Sequence, residues 1–267
     1  MKEISGDKAL SNQDRLIYLA YNFIRGISGH TCWIRTKHWH PKKVEGGNDS
    51  PGVQHLNQFL FQELPKIIPM GKIDMLDVGC GSGYVRKILA DAGYKGCYTG
   101  VDIYKNKDFD RNETHAFKSI FIESKIEDLE TDKKFDLVLS VTSLEHIEND
   151  ALAVRKCDYF LKPEASQIHI LPTFWLLFSH LWHGYRQYSP QNIKSLFNQK
   201  QYKVYSLGGL FSFFLHVSFI MVPLILFKTH QPRDSSLYSK LVGISNKLDK
   251  VLPICSTLCV VVAKKGV

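Results

Sequence analysis

The chain has 267 residues, 44% of them hydrophobic and 22% charged, an ordinary globular mix that excludes a disordered polymer and suffices for a sizeable core. Its 34 Lys and Arg against 26 Asp and Glu leave a net charge of +8, which admits nucleic acid, an anionic membrane surface or an acidic substrate without choosing among them. Six cysteines lack a CxxC pair, and the N-terminal run "MKEISGDKALSNQDR" lacks a signal peptide's apolar core; both lead to the expectation of a reduced, cytoplasmic protein.

Ser11 is a fitting cap for an amphipathic helix predicted over residues 12–27. His30, Cys32, His38 and His40 follow, but the H-x-C-x5-H-x-H spacing matches no zinc pattern, and no metal is expected. A turn-rich connector, "HPKKVEGGNDSPG", leads to a second helix that stops near Pro65. From about residue 73 short apolar runs alternate with helical stretches: "IDMLDVG", "YVRKILADAG", "CYTGVDI", "SIFIESKI", "FDLVLSV", "DALAVRKCDYFL" and "SQIHILP". That alternation predicts a mainly parallel sheet with helices on both faces. After "QNIKSLFNQKQY" and "KVYSLGG" come an unusually apolar segment and a last strand, "STLCVVVAKK", making seven predicted strands.

The stretch "MLDVGCGSGYV" runs a buried strand into glycines and then a helix. A dinucleotide fingerprint needs G-x-G-x-x-G. Gly79 and Gly81 fit it, but its third position is Tyr84 and the third glycine comes early, at Gly83. Asp77 would repel a pyrophosphate and suits a ligand with positive charge near the loop. Asp102 ends the next strand, where it could take a pair of ribose hydroxyls.

"LDVGCGSG", "GVDI" and "FDLVLSVTSLEHI", in that order and at those intervals, resemble the class I S-adenosylmethionine-dependent methyltransferases, in particular the group acting on small-molecule or lipid-linked acceptors. The resemblance covers roughly residues 70–206 and the final strand. It implies a Rossmann-like α/β fold with the last of seven strands inserted antiparallel. It divides the chain into an N-terminal helical lid (1–70), a cofactor-binding core (71–206), an apolar and basic helical insertion (207–253) and the last core strand (254–267). The lid, with Trp33 and Trp39, is expected over the cofactor crevice. The cofactor implied is S-adenosylmethionine. Gly79, Gly81 and Gly83 would admit its methionine part, Asp77 would hold its ammonium, Asp102 its ribose hydroxyls, and Ile103 would pack on the adenine. Lys125 stands where the family often has the Asp that meets the adenine amino group, so Glu127 or the backbone at Ile126 must serve instead.

Methyl transfer needs chiefly proximity and orientation, and a base only where the acceptor must lose a proton. "SVTSLEH" lacks the Asn/Asp-Pro-Pro-aromatic motif of enzymes methylating DNA bases or protein amides, so nucleic acid is not the expected substrate. His146, after the fourth strand, and His183, in "HGYRQYSP", are the candidate bases; Arg186 and Tyr188 are candidate substrate contacts or loop braces. The function expected is methylation of a hydroxyl or activated carbon on a small or lipid-linked acceptor. The alternatives are an inactive cofactor-binding partner protein and, least favoured, an NAD-linked oxidoreductase. Leu210–Phe227 sits at the lower length limit for a membrane span. Because the sixth strand precedes it and the seventh follows, it is expected to lie in the membrane interface, with "KTHQPR" and "SKLVGISNKLDK" toward anionic headgroups, rather than to cross. A buried helix pair is the alternative.

Overall fold

Phe135, Leu137, Val138 and Leu139 are each at most 1% exposed, so the strand they form is covered on both faces, as an interior strand of a parallel sheet must be. The computed structural model describes residues 4–29, 34–42, 49–178, 181–198, 200–228, 233 and 235–265. The elements run α1 (Asn12–Gly29), β1 (Thr36–Trp39), α2 (Pro51–Gln62), α3 (Leu64–Ile67), β2 (Lys72–Val78), α4 (Val85–Asp91), β3 (Lys95–Asp102), β4 (Phe117–Glu123), β5 (Phe135–Val141), α5 (Asp150–Tyr159) and β6 (Leu161–Pro172). Then follow α6 (Pro190–Phe197), β7 (Tyr202–Leu207), α7 (Leu210–His216), α8 (Val222–Phe227), α9 (Ser236–Leu248) and β8 (Leu258–Lys264).

Eight strands form one sheet in the order β1-β7-β8-β6-β5-β2-β3-β4, one strand more than expected. The addition is β1, inside the segment expected to be a helical lid. Four residues are too few to show a strand's period in sequence, and only the parallel pairing of Thr36–Trp39 with Val204–Leu207 makes them a strand. β2 pairs in parallel with both β3 and β5, and β3 with β4. β8 runs antiparallel, as expected: Lys265 N donates to Ala165 O at the start of β6, and Lys264 N donates to Gln201 O just before β7.

Two compact units share the chain: residues 60–171, 193–203 and 261–267, and residues 1–59, 172–192 and 204–260. In the first, the chain goes from β2 outward to β3 and β4, then returns to β5 on β2's other side. The carboxyl ends of β2 and β5 thus flank the switch point where open α/β sheets hold their ligands. His169, read as a core residue, is fully buried there between Ser140 Oγ (2.7 Å) and Gln167 Oε1 (2.8 Å). Burial, with Lys200 adding to it, pushes its pKa down to about 3, so it is a neutral structural group.

In the second unit Trp39 is buried edge-on against Phe59 (5.2 Å between ring centroids), which meets Tyr205. Trp39 is therefore a core residue of this unit; Trp33 lies outside the described residues, as do His30 and Cys32, while His38 Nδ1 meets Ser206 Oγ at 2.5 Å. Pro65 is the second residue of the short α3, which Glu63 alone separates from the end of α2. Leu210–Phe227 is one continuous helical run, α7 and α8 joined by a π turn over Val217–Met221. Pro223 accounts for the turn, because it has no N–H to close the preceding helical bond. The run's first half packs on α9 as a helix pair, Leu215 and Ile220 against Tyr238 and Val242. Its last turn, Leu224–Phe227, is exposed.

Candidate active site

β2 delivers the chain into the loop 79–83, where Gly79, Gly81 and Gly83 all have positive φ (66°, 50° and 65°), a conformation only glycine adopts without strain. The loop is stitched to β3: Gly79 N and Cys80 N both donate to Val101 O, at 2.8 and 3.2 Å. Gly81 N donates to Asp102 Oδ2 at 2.8 Å, and Ile103 N to Asp102 Oδ1 at 2.7 Å. Asp102 is thus locked in place with a lone pair still available on each oxygen. The three glycines differ in their surroundings. A Cβ on Gly79 would stand 2.4 Å from Ser143 Cβ and one on Gly83 3.1 Å from Phe109, but one on Gly81 would meet nothing within 4 Å. Gly81 is the place where backbone borders open space.

Beneath the loop lies a charged core that sequence reading only half found. Asp77 is 1% exposed, and Tyr98 Oη donates to its Oδ2 at 2.6 Å. Burial lifts the Asp77 pKa to about 7; the Tyr98 hydrogen bond opposes this, Asp102 adds to it, and Arg86 opposes it. Arg86 is fully buried, its Nε donating to Asn112 O (2.9 Å) and a terminal nitrogen to Phe109 O, with its guanidinium 4.2 Å from the Phe109 ring centroid. Asn112 Nδ2 in turn donates to Ser82 O, holding the loop's middle. Tyr98, Arg86, Phe109 and Asn112 were missed. Arg86 alone left a signal, a charge on the face that Val85 and Leu89 bury.

Ile103 is exposed beside Asp102. Ile126 is buried, and its carbonyl accepts from Leu129 N (3.4 Å) in the single turn Ile126–Asp128; Glu127 is half-buried. After β5, Thr142 takes φ 45°, a strained state for a β-branched residue and one that concentrates at functional sites. Ser143 Oγ then donates to Val78 O at 2.7 Å, tying this turn to the residue before Gly79. The turn Leu144–His146 follows, with Glu145 fully buried, and His146 Nε2 3.9 Å from its carboxylate.

His183, Arg186 and Tyr188 belong to the other unit. The His183 carbonyl accepts from Tyr18 Oη (2.8 Å) and Gln187 Nε2 (3.2 Å), and Gly184 is bracketed by Gly6 N (2.6 Å) and Asp7 Oδ1 (3.1 Å). Arg186 and Tyr188 are at most 2% exposed, and Tyr188 N donates to Pro172 O (2.8 Å), which is the geometry of braces.

A buried carboxylate held near neutrality, an open backbone edge at Gly81 and a carboxylate with two spare lone pairs form a set that fits the ammonium, methionine backbone and ribose of S-adenosylmethionine. Residues 76–168 match the family described as "Methyltransferase domain". The ubiquinone biosynthesis O-methyltransferase of Rickettsia felis is 30% identical over 103 residues, which are 37% of this chain and 41% of that protein. The match thus spans about two fifths of that relative's length. Among solved structures, the N-methyltransferase NodS of Bradyrhizobium japonicum in complex with S-adenosyl-L-homocysteine superposes with a TM-score of 0.52 at 13% identity, covering 81% of this chain and 89% of that one. The 1,6-didemethyltoxoflavin-N1-methyltransferase of Burkholderia thailandensis, with S-adenosylhomocysteine bound, gives 0.51 at 12% identity, covering 97% and 92%. At such identities these likenesses show the fold. The glycine loop, Asp77 and Asp102 thus all lie in a stretch that matches a methyltransferase domain, on a fold shared with solved methyltransferases.

Proposed function

We propose that the protein transfers a methyl group from S-adenosylmethionine to a hydroxyl oxygen of a small, apolar or lipid-linked acceptor. The observation that carries the transfer reading is the loop itself, with Gly81 open to solvent and its N–H fixed on Asp102. An oxygen acceptor is supported by the name that the matched Rickettsia proteins share. When bound, the cofactor supplies a methyl group on a sulfonium, an electrophile needing no further activation. Asp77 would hold the ammonium, Asp102 the ribose hydroxyls, and Ile103, Glu127 and the backbone at Ile126 the adenine. His146, on the turn that Ser143 ties to the loop, would take the hydroxyl proton. The reading is tested by incubating the protein with cell extract and isotopically labelled cofactor. A labelled methyl ether on an apolar small molecule is expected; label found solely in nucleic acid or protein would overturn it.

The Asp77 assignment predicts a pH dependence with a definite sign. Its pKa rises from 3.8 to about 7 on folding, so without cofactor the fold should lose stability as pH climbs through that interval. An ammonium binds the ionised form, so cofactor affinity should rise with pH and be about fivefold weaker near pH 6 than near pH 7. Calorimetry across that interval checks this, and Asp77→Asn should flatten the profile. An equally steep profile in the variant would remove Asp77 from the ammonium site.

The lipid-linked part of the reading is supported by the exposed end of the apolar run, where Ile225, Leu226 and Phe227 are 54%, 65% and 70% exposed. Such a tip, followed by Lys228, suits insertion at a membrane interface. Most of the "KTHQPR" flank lies outside the described residues. The protein should float with anionic liposomes at low salt. Leu226→Ser and Phe227→Ser should each reduce partitioning by about tenfold, the value of one buried apolar side chain. If the intact protein stays in the soluble fraction, this end of the helix is not a membrane contact.

A further inference from the structure

Helix α9 and the residues just after β1 border a cavity of about 590 Å³, within the range of roughly 300–1,000 Å³ usual for small-ligand sites. Lys42, Lys240, Lys247 and Lys250 line it, and among the described residues no carboxylate does. The ammonium groups of Lys240, Lys247 and Lys250 have no ion-pair or hydrogen-bond partner among the described residues. Asp249, which stands between Leu248 and Lys250, does not neutralise them. It is fully buried, and its carboxylate accepts from Phe211 N (2.8 Å), Ser212 N (3.2 Å) and Ser212 Oγ.

Spacing shapes this charge into a site. Residues 240, 243 and 247 lie on one helical face. Gly243, between the two lysines, has nothing within 4 Å of where a Cβ would sit, so it leaves a notch. Asn246 also lines the cavity and is 2% exposed, yet neither its Oδ1 nor its Nδ2 has a partner among the described residues. A buried amide with both ends unmet is costly unless a ligand brings an acceptor and a donor.

We propose that this cavity binds a polyol phosphate. The lysine ammonium groups hold the phosphate, Asn246 Nδ2 donates to a phosphate oxygen, and Asn246 Oδ1 accepts from a neighbouring hydroxyl. The same chemistry is offered by a free metabolite and by a phospholipid headgroup. The site does not depend on methyl transfer or on the apolar tip of α8.

Two probes distinguish the sources: glycerol 3-phosphate in solution, followed by calorimetry, and vesicles of phosphatidylcholine containing phosphatidylglycerol, followed by flotation. Lys240→Ala and Lys247→Ala should each weaken binding by about tenfold or more, the loss of one charge-assisted hydrogen bond. Gly243→Leu should fill the notch and abolish binding. It adds a good helix former where no atom stands, so its circular dichroism and melting should match or exceed those of the unaltered protein. Asn246→Leu should melt higher without ligand and lose the stabilisation that glycerol 3-phosphate confers. Binding of glycerol 3-phosphate upholds the site and assigns a soluble ligand. Binding of the vesicles alone, lost in Gly243→Leu, upholds it and assigns a headgroup. If neither probe binds, or if Gly243→Leu and the lysine variants bind as well as the unaltered protein, the proposal is overturned.

Discussion

Replacing Gly81 by valine is expected to abolish binding of S-adenosylhomocysteine, with no heat measurable by calorimetry, while leaving the protein folded. Nothing lies within 4 Å of a Cβ at this position, so the substitution collides with no part of the protein. Its cost to the fold is the strain of holding a β-branched residue at φ 50°, about 1–2 kcal/mol. In a domain of this size that lowers the melting point by only a few degrees, roughly 2–4 °C for each kcal/mol. The branched side chain instead enters the open space that the Gly81 backbone borders beside Asp102. Gly79→Val is the contrasting case. Its Cβ would stand 2.4 Å from that of Ser143, so it should disrupt the β2–β5 crossover itself and lower stability much further. Normal binding by a folded Gly81→Val variant would exclude the loop as the cofactor site.

The second large effect concerns the base. His146→Gln should lower kcat by about a hundredfold to ten-thousandfold, the usual contribution of a positioned general base, with cofactor affinity unchanged. The expectation comes from connectivity within one unit. Ser143 is hydrogen-bonded to the last residue of β2, Thr142 holds a strained backbone beside it, and His146 stands at the end of the same turn. His183 is the competing candidate, and it is anchored differently. Its main-chain carbonyl accepts from Tyr18 and Gln187, a brace that His183→Ala should leave standing. Measured on the same acceptor, a collapse of kcat in His183→Ala with His146→Gln near the unaltered rate would transfer the role to His183. A collapse in His146→Gln alone assigns it to the turn after β5.

Asp77, the three glycines and Asp102 were legible in sequence because their relation is local. A strand, a five-residue loop, a helix and the end of the next strand are set by spacing along the chain. The alternation of apolar runs with helical stretches, and with it the mainly parallel sheet, was legible for the same reason, whereas the antiparallel last strand was implied by the family resemblance alone. What the tertiary structure decided depends on contacts between residues far apart in sequence. Tyr98, 21 residues from Asp77, supplies the hydrogen bond that holds its carboxylate, and Arg86 sits buried under the loop because Phe109 and Asn112 come back to cover it. Thr36–Trp39 carries no strand period and becomes a strand only beside β7. Arg186 and Tyr188 showed their chemistry in sequence but not their burial. In Leu210–Phe227 uniform apolarity hid a division that packing alone creates. Tyr238 and Val242 bury the face carrying Leu215 and Ile220, while Leu226 and Phe227 stay exposed. Hydrophobic pattern reports what a segment can bury, whereas which part is buried, and which carboxylate is thereby pushed toward neutrality, follows from the partner that the fold brings to it.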